Sequence, residues 1–163
     1  PGLRGSRAGA HNGGLSRPQA PCARGTTMGQ MISFQRPDGQ HVDGYLAEPA
    51  SGASAPGVVV IQEWWGLQDQ IKGICDRFAL AGYDALAPDL YAGTVIPYHD
   101  ADAAGREMNS LNFLEATDQL VRGAAQYLLV SSPKVAVCGF CMGGAVAVLA
   151  AARELANSNF GGL

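Results

Sequence analysis

Long apolar runs, charged residues and cysteines are all scarce in this chain. The shortage of apolar runs and the shortage of cysteines each exclude a class of protein. The 163 residues are 15% charged. The longest apolar stretches fall far short of the roughly 20 residues that a membrane-spanning helix needs, so we expect no contact with a membrane. Four cysteines in a chain of this length do not form the disulfide framework of a small secreted domain.

Acidic residues are absent from residues 1–27, which contain four of the 11 basic residues. This segment is rich in Gly, Pro and Arg and has two leucines, so it cannot bury enough apolar surface to offset its chain entropy, and we predict that it is disordered. The arginine bias resembles an organelle-targeting segment, but the glycines and prolines would prevent an amphipathic helix. An upstream-translated leader is the favoured interpretation, and in the absence of a secretory signal the cytoplasm is the favoured compartment.

The rest of the chain, residues 28–163, therefore carries 7 basic residues against 14 acidic ones. A surface this acidic repels phosphate backbones, which excludes nucleic acid as an expected partner. The sequence carries no signature of an oligomeric state.

Regular hydrophobic patterns begin at Met28. Two alternating segments flank the turn at 37–40 and predict a hairpin. Continuous apolar runs at 57–63, 83–91 and 134–140 are typical of strands buried on both faces. Helical spacing follows the first of these runs with Ile71, Ile74, Cys75, Phe78 and Ala79, and recurs at about 111–129 with Leu114, Leu120, Val121, Ala124, Leu128 and Leu129 facing inward. A further helix is predicted at 142–156, after a loop at 92–100.

This alternation of strands and helices predicts an α/β domain in which helices flank a mostly parallel sheet. Cys75 lies on the apolar face of its helix and is expected to be a small core residue.

Cys141 occupies the turn at which the third apolar strand passes into a helix. Its neighbours two residues away on either side are Gly139 and Gly143, which is the spacing of a nucleophile elbow with cysteine in place of serine. Gly144 gives additional room. The helix N-terminus favours the thiolate, and the N–H of Met142 would point into the site as an oxyanion donor.

Cys138 offers a second interpretation, because Cys138 and Cys141 have the spacing of a redox dithiol. In thioredoxin-like proteins that motif lies early in the chain, whereas here about five elements precede it, and Cys138 would lie inside the strand. A purely structural turn is the third interpretation.

Glu63, Trp64 and Trp65 come directly after the first apolar strand. The carboxyl ends of parallel strands share one edge of a sheet, so these residues are expected to line the same crevice as Cys141. A surface carboxylate and core-packing tryptophans are the alternatives.

Three segments, QEWWGL, APDLY and GFCMGG, together resemble the dienelactone hydrolase family of the α/β-hydrolase superfamily. The resemblance runs from about residue 28 to 152. It implies that Cys141 is the nucleophile and that Glu63 contacts the resting thiol and moves aside when substrate binds. It also implies an oxyanion hole formed by the N–H groups of Trp64 and Met142. The implied reaction is hydrolysis of small lactones or esters without metal or cofactor; no role is transferred to Tyr91 or Arg106.

Neither Asp nor His follows Cys141, although the family's catalytic triad continues from the nucleophile to Asp and then His. All three histidines, His11, His41 and His99, precede it. We therefore expect the fold to be truncated after the helix that follows Cys141, leaving the chain as a fragment without its acid and base. An inactive fragment acting as a binding module, a redox protein, or a different reaction on the same scaffold are the competing hypotheses.

Overall fold

The computed structural model of the protein describes residues 29–52 and 54–157. The segment predicted to be disordered, residues 1–27, lies outside these ranges. The strands are β1 (Gln30–Gln35), β2 (His41–Ala47), β3 (Gly57–Ile61), β4 (Asp84–Pro88) and β5 (Val135–Gly139). The helices are α1 (Asp69–Leu80), α2 (Ala101–Ser110), α3 (Phe113–Glu115), which continues through a π-helical segment (Ala116–Val121) into α4 (Arg122–Leu129), and α5 (Met142–Asn157).

The five strands form one sheet in the order β1-β2-β4-β3-β5. The predicted hairpin is confirmed, because β1 and β2 pair antiparallel with Gln35 opposite His41. β2 also pairs antiparallel with β4, whereas β3 is parallel to both β4 and β5. Within the described ranges, the parallel part of the sheet therefore comprises β4, β3 and β5, and their carboxyl ends meet at one edge.

Helices cover both faces of the sheet, as the α/β prediction requires. On one face, α1 packs on the sheet and buries Ile71, Ile74 and Cys75, which confirms the predicted helix and the core position of that cysteine. On the other face, α4 and α5 both pack on the sheet and contribute, among others, Leu128 and Val146 to a second core cluster. None of the helices in the described ranges is long and apolar enough to cross a membrane.

The helical region before β5 differs from the prediction. A separate helix, α2, occupies residues 101–110, where no helix was predicted. Its N-cap is Asp100, whose carboxylate accepts a hydrogen bond from the amide of Ala103 at 2.9 Å. α2 has only Ala104 fully buried, so it lacks the apolar stripe that reveals a helix in a sequence.

Two leucines predicted to face inward are exposed, because Leu114 and Leu129 each keep 53% of their surface accessible. The π-helical segment between them has more residues per turn than an α-helix, and this shifts the phase at which Leu114 would have reached the core. Leu129 lies about 100° around the helix from the buried Leu128.

The third predicted strand is present but is not buried. β5 lies at the edge of the described sheet, and Val137 is 37% exposed. Within residues 29–52 and 54–157, β5 pairs with β3 alone, so its second edge has no partner strand. The prediction that the apolar run at 134–140 is buried on both faces is therefore wrong for this chain.

Candidate active site

The turn between β5 and α5 holds Cys141 in an unusual backbone conformation. Its φ of 52° lies in the left-handed region that residues other than glycine seldom adopt. The side chain of Cys141 is exposed. The amide of Phe140 donates to the carbonyl of Ile61 at 3.4 Å, and the amide of Gly144 donates to the carbonyl of Cys141 at 3.0 Å. The first of these hydrogen bonds connects the turn to the end of β3, and the second lies at the start of helix α5.

Gly139 and Gly143 are required by close approach of backbone to backbone. A Cβ atom on Gly139 would lie 2.1 Å from the carbonyl oxygen of Gly143, and one on Gly143 would lie 2.4 Å from that of Gln62. Both distances are far below van der Waals contact. By contrast, a Cβ atom on Gly144 would be 3.5 Å from its nearest neighbour, which is ordinary contact. The first turn of α5 therefore rests directly on the end of β3.

Glu63 reaches the same edge of the sheet as Cys141. Ile61 is opposite Gly139 in the parallel pairing of β3 with β5, and each candidate residue follows two positions later. The Glu63 side chain is half-buried. No hydrogen bond joins it to Cys141 within the described ranges. The structure thus brings the two residues to the same edge of the sheet, and the predicted contact between them stays a prediction.

Trp64 and Trp65 are half-buried and pack against the core on the α4–α5 face. Their rings meet edge to face at a centroid distance of 5.2 Å, and Trp65 meets Tyr98 in the same way at 5.4 Å. Tyr98 was not singled out from the sequence, because its position depends on a contact with a distant loop. These three rings therefore form one aromatic cluster next to the end of β3.

Backbone contacts join the loop after β3 to the loop at 92–100. The amide of Ile96 donates to the carbonyl of Trp65 at 2.9 Å, and the side-chain amide of Gln68 donates to the carbonyl of Ile96 at 2.7 Å. At Gly66, a Cβ atom would lie 2.3 Å from the carbonyl oxygen of Thr94. Direct hydrogen bonds and close backbone packing therefore hold the two loops together.

Tyr91 lies at the buried centre of this region. Its hydroxyl donates a hydrogen bond to Sδ of Met142 at 3.2 Å, and each of the two side chains is 5% exposed. Burial raises the pKa of Tyr91 to about 12, and the neighbouring Glu107 and Cys141 act in the same direction. No role was assigned to Tyr91 from the sequence, in which it is the last residue of the APDLY segment.

The other described cysteines, Cys75 and Cys138, are less exposed than Cys141. Burial, with help from Asp76 and Cys138, raises the pKa of Cys75 to about 12, and burial also raises the pKa of Cys138. Cys75, Cys138 and Cys141 are all free thiols. A redox dithiol needs a depressed thiol pKa, so the shift at Cys138 disfavours the Cys138–Cys141 interpretation.

The histidines that precede Cys141 do not supply an evident base. His99 is exposed in the loop before α2, and His41 opens β2. Residues 1–28, including His11, lie outside the described ranges. Among the described residues, no group of three or more His, Cys, Asp or Glu side chains could hold a metal ion.

A cavity of about 570 Å³ lies beside Tyr91, on the hairpin side of the sheet. Its lining includes Arg36, His41, Asp89 and Glu107 but neither Cys141 nor Glu63. Arg36 is already paired with Asp38 and Glu115. The lining also includes Leu90 and Tyr91, which contact Gln62 and Met142 respectively, so the cavity adjoins the candidate site without containing its thiol.

The glycine contacts predict a large difference between two similar substitutions. Gly139→Ala is expected to lower the free energy of unfolding by about 1–3 kcal/mol or to prevent folding, because a methyl group must displace backbone. Gly144→Ala is the matched control, and we expect a change within about 0.5 kcal/mol. Urea titration followed by circular dichroism measures both. Equal unfolding midpoints for the two variants would show that the turn is not packed as described.

Thiol labelling provides a second prediction. Iodoacetamide at neutral pH is expected to modify Cys141 before Cys75 and Cys138, because it is the exposed thiol and the pKa values of the other two are raised. Peptide mass spectrometry at increasing reaction times gives the order. Labelling of Cys75 or Cys138 first, in chain that circular dichroism shows to be folded, would rule out Cys141 as the reactive thiol.

Comparisons with known proteins point to one family. The family model of the dienelactone hydrolase family matches residues 42–159. Protein usf of Aquifex pyrophilus is 41% identical over 136 residues, which cover 77% of this chain and 56% of that protein. A protein of Aquifex aeolicus provisionally named carboxymethylenebutenolidase is 36% identical with the same two coverages.

Solved structures give the same result. A crystal structure from Klebsiella pneumoniae, of a protein provisionally called a dienelactone hydrolase, is 27% identical with a TM-score of 0.65, covering 76% of this chain and 55% of that one. The chain spans about half the length of the curated relatives it matches. The match of the family model over most of the chain, together with these relatives, shows that the chain belongs to the dienelactone hydrolase family.

Proposed function

We propose that Cys141 is the nucleophile of a hydrolase that cleaves small lactones or esters through an acyl-enzyme. The observation that carries the proposal is the backbone of Cys141, whose positive φ presents an exposed thiol at the N-terminus of α5. Strained turns of this kind persist when the surrounding structure over-determines them, and they cluster at active sites. The names of the relatives support the substrate class.

The proposed reaction begins with attack of the Cys141 thiolate on the carbonyl carbon of the substrate. The negative charge that develops on the carbonyl oxygen would be stabilised by the N–H groups of Trp64 and Met142. Collapse of the tetrahedral intermediate expels the alcohol or enol and leaves a thioester on Cys141, which water then hydrolyses. The dipole of α5 favours the thiolate from below.

Glu63 is proposed as the carboxylate that faces the resting thiol and moves aside when substrate binds. Two observations support this role. The register of β3 with β5 brings Glu63 level with Cys141, and the carboxylate is half-buried. A carboxylate near a thiol disfavours the thiolate through like-charge repulsion.

The base and its acid partner are proposed to belong to the part of the family's length that this chain does not span. No His follows Cys141, and hydrolysis of the thioester needs a group that activates water and returns a proton. The relatives are nearly twice as long as the matched region. The fragment hypothesis and the hydrolase proposal are thus compatible.

Acylation without turnover is the experiment that tests this function in the 163-residue chain. With p-nitrophenyl acetate, we expect about one acetyl group per chain on Cys141 and only background turnover afterwards. Expulsion of p-nitrophenolate needs no proton, whereas deacylation lacks its base. A p-nitrophenolate burst and intact-protein mass spectrometry measure the two stages.

Cys141→Ala is the control, and it should abolish the burst. If wild-type chain shows no acetylation of Cys141, the proposed function is wrong. Sustained turnover that His99→Ala abolishes would show that the loop at 92–100 supplies the base.

Removal of the Glu63 charge is expected to activate the thiol. Glu63→Gln should raise the rate of Cys141 alkylation by iodoacetamide at neutral pH several-fold, because like-charge repulsion of the thiolate is lost. Asp69→Asn removes an exposed carboxylate from the start of α1 and should leave the rate unchanged. An identical rate in Glu63→Gln and wild type would mean that the two side chains do not meet.

A further inference from the structure

We infer that Tyr91 is a positioning residue that holds Met142, and with it the proposed oxyanion donor, in place. This inference rests on the proposed function. Met142 follows Cys141 directly and is the first residue of α5, so its side chain and its N–H leave the same Cα region of the turn. Anchoring the side chain therefore restricts the orientation of the amide.

The anchor is the hydrogen bond from the Tyr91 hydroxyl to Sδ of Met142, at 3.2 Å and across 51 residues of sequence. A methionine side chain has three rotatable bonds and ordinarily adapts to its surroundings. With Met142 buried against Tyr91, the sulfur accepts from a single donor and one rotamer is selected. The raised pKa of Tyr91 keeps the hydroxyl protonated, and thus a donor, throughout the neutral range.

Tyr91 is itself held to the sheet by Asp89. The Asp89 carboxylate, which is buried, accepts the amides of Tyr91 at 3.0 Å and Gly93 at 2.6 Å. The amide of Asp89 donates to the carbonyl of Asp43 in β2 at 2.9 Å. The backbone that carries the tyrosine is therefore fixed at both sides, and the hydroxyl cannot follow Met142 if the turn shifts.

The segment after β4 also contacts the end of β3. The amide of Leu90 donates to the side-chain carbonyl of Gln62 at 3.2 Å, and Gln62 is fully buried directly before Glu63. Two successive residues after β4 thus contact the two strand ends that carry the proposed oxyanion donors, Trp64 and Met142. The segment after β4 therefore helps to set the distance between the N–H groups of Trp64 and Met142.

A positioning role can be separated from simple packing by comparing two reactions of the same thiol. Acylation by p-nitrophenyl acetate passes through an oxyanion, whereas alkylation by iodoacetamide displaces iodide at a saturated carbon and forms none. A misplaced oxyanion donor therefore slows acylation only. A change in the thiol itself, or in the fold, alters both reactions.

The experiment measures both rates at Cys141 in the 163-residue chain and its variants. Tyr91→Phe removes the hydroxyl and retains the ring, and Met142→Leu removes the sulfur and retains the backbone N–H. Each is expected to slow acylation about tenfold, less than loss of a whole oxyanion donor, while alkylation stays within roughly twofold. Because both variants break one contact, the double variant should acylate no more slowly than the slower single variant.

Tyr83→Phe is the matched control, since Tyr83 is partly exposed before β4 and its ring meets that of Phe78 edge to face; it should change neither rate. The inference is overturned if Tyr91→Phe and Met142→Leu acylate at the wild-type rate, or if both reactions slow equally. Should Tyr91→Phe fail to fold, Met142→Leu alone decides the question. Absence of acylation in wild-type chain would instead overturn the proposed function, and the inference with it.

Discussion

The candidate site depends on one close contact, in which the first turn of α5 rests on the carboxyl end of β3. Gly143 lies against the carbonyl of Gln62 with no room for a side chain. Because the helix begins so close to the strand, the connecting turn has only two residues, and Cys141 must adopt a positive φ. That one approach of two backbones accounts for the exposure of the thiol and its position at the helix N-terminus. It also places Cys141 level with Glu63.

Much of this arrangement is visible in the sequence, because it is encoded by local patterns. The hairpin around residues 36–40, the strand at Gly57–Ile61 and helix α1 all follow from alternation, β-branched runs and helical spacing. The two glycines around Cys141 are an equally local signal. Their meaning is steric, and for that reason the turn could be identified without knowing what the rest of the chain does.

The features that sequence patterns missed depend on contacts between distant segments. α2 has no apolar stripe, and the π-helical segment that turns Leu114 outward has no sequence signature of its own. Tyr91 acquires its partner Met142 only when β4 and β5 join the same sheet. The exposure of Val137 likewise reflects which strand lies next to β5, and the apolar composition of β5 says nothing about that neighbour.

The contact between the loop after β3 and the loop at 92–100 has a mechanical consequence. The proposed oxyanion donor Trp64 precedes Trp65, whose carbonyl and ring are both engaged by the loop at 92–100. A substrate that displaced the backbone of Trp64 would therefore also have to displace the loop at 92–100. A graft of either loop alone into another scaffold would therefore lose the support that the other loop provides.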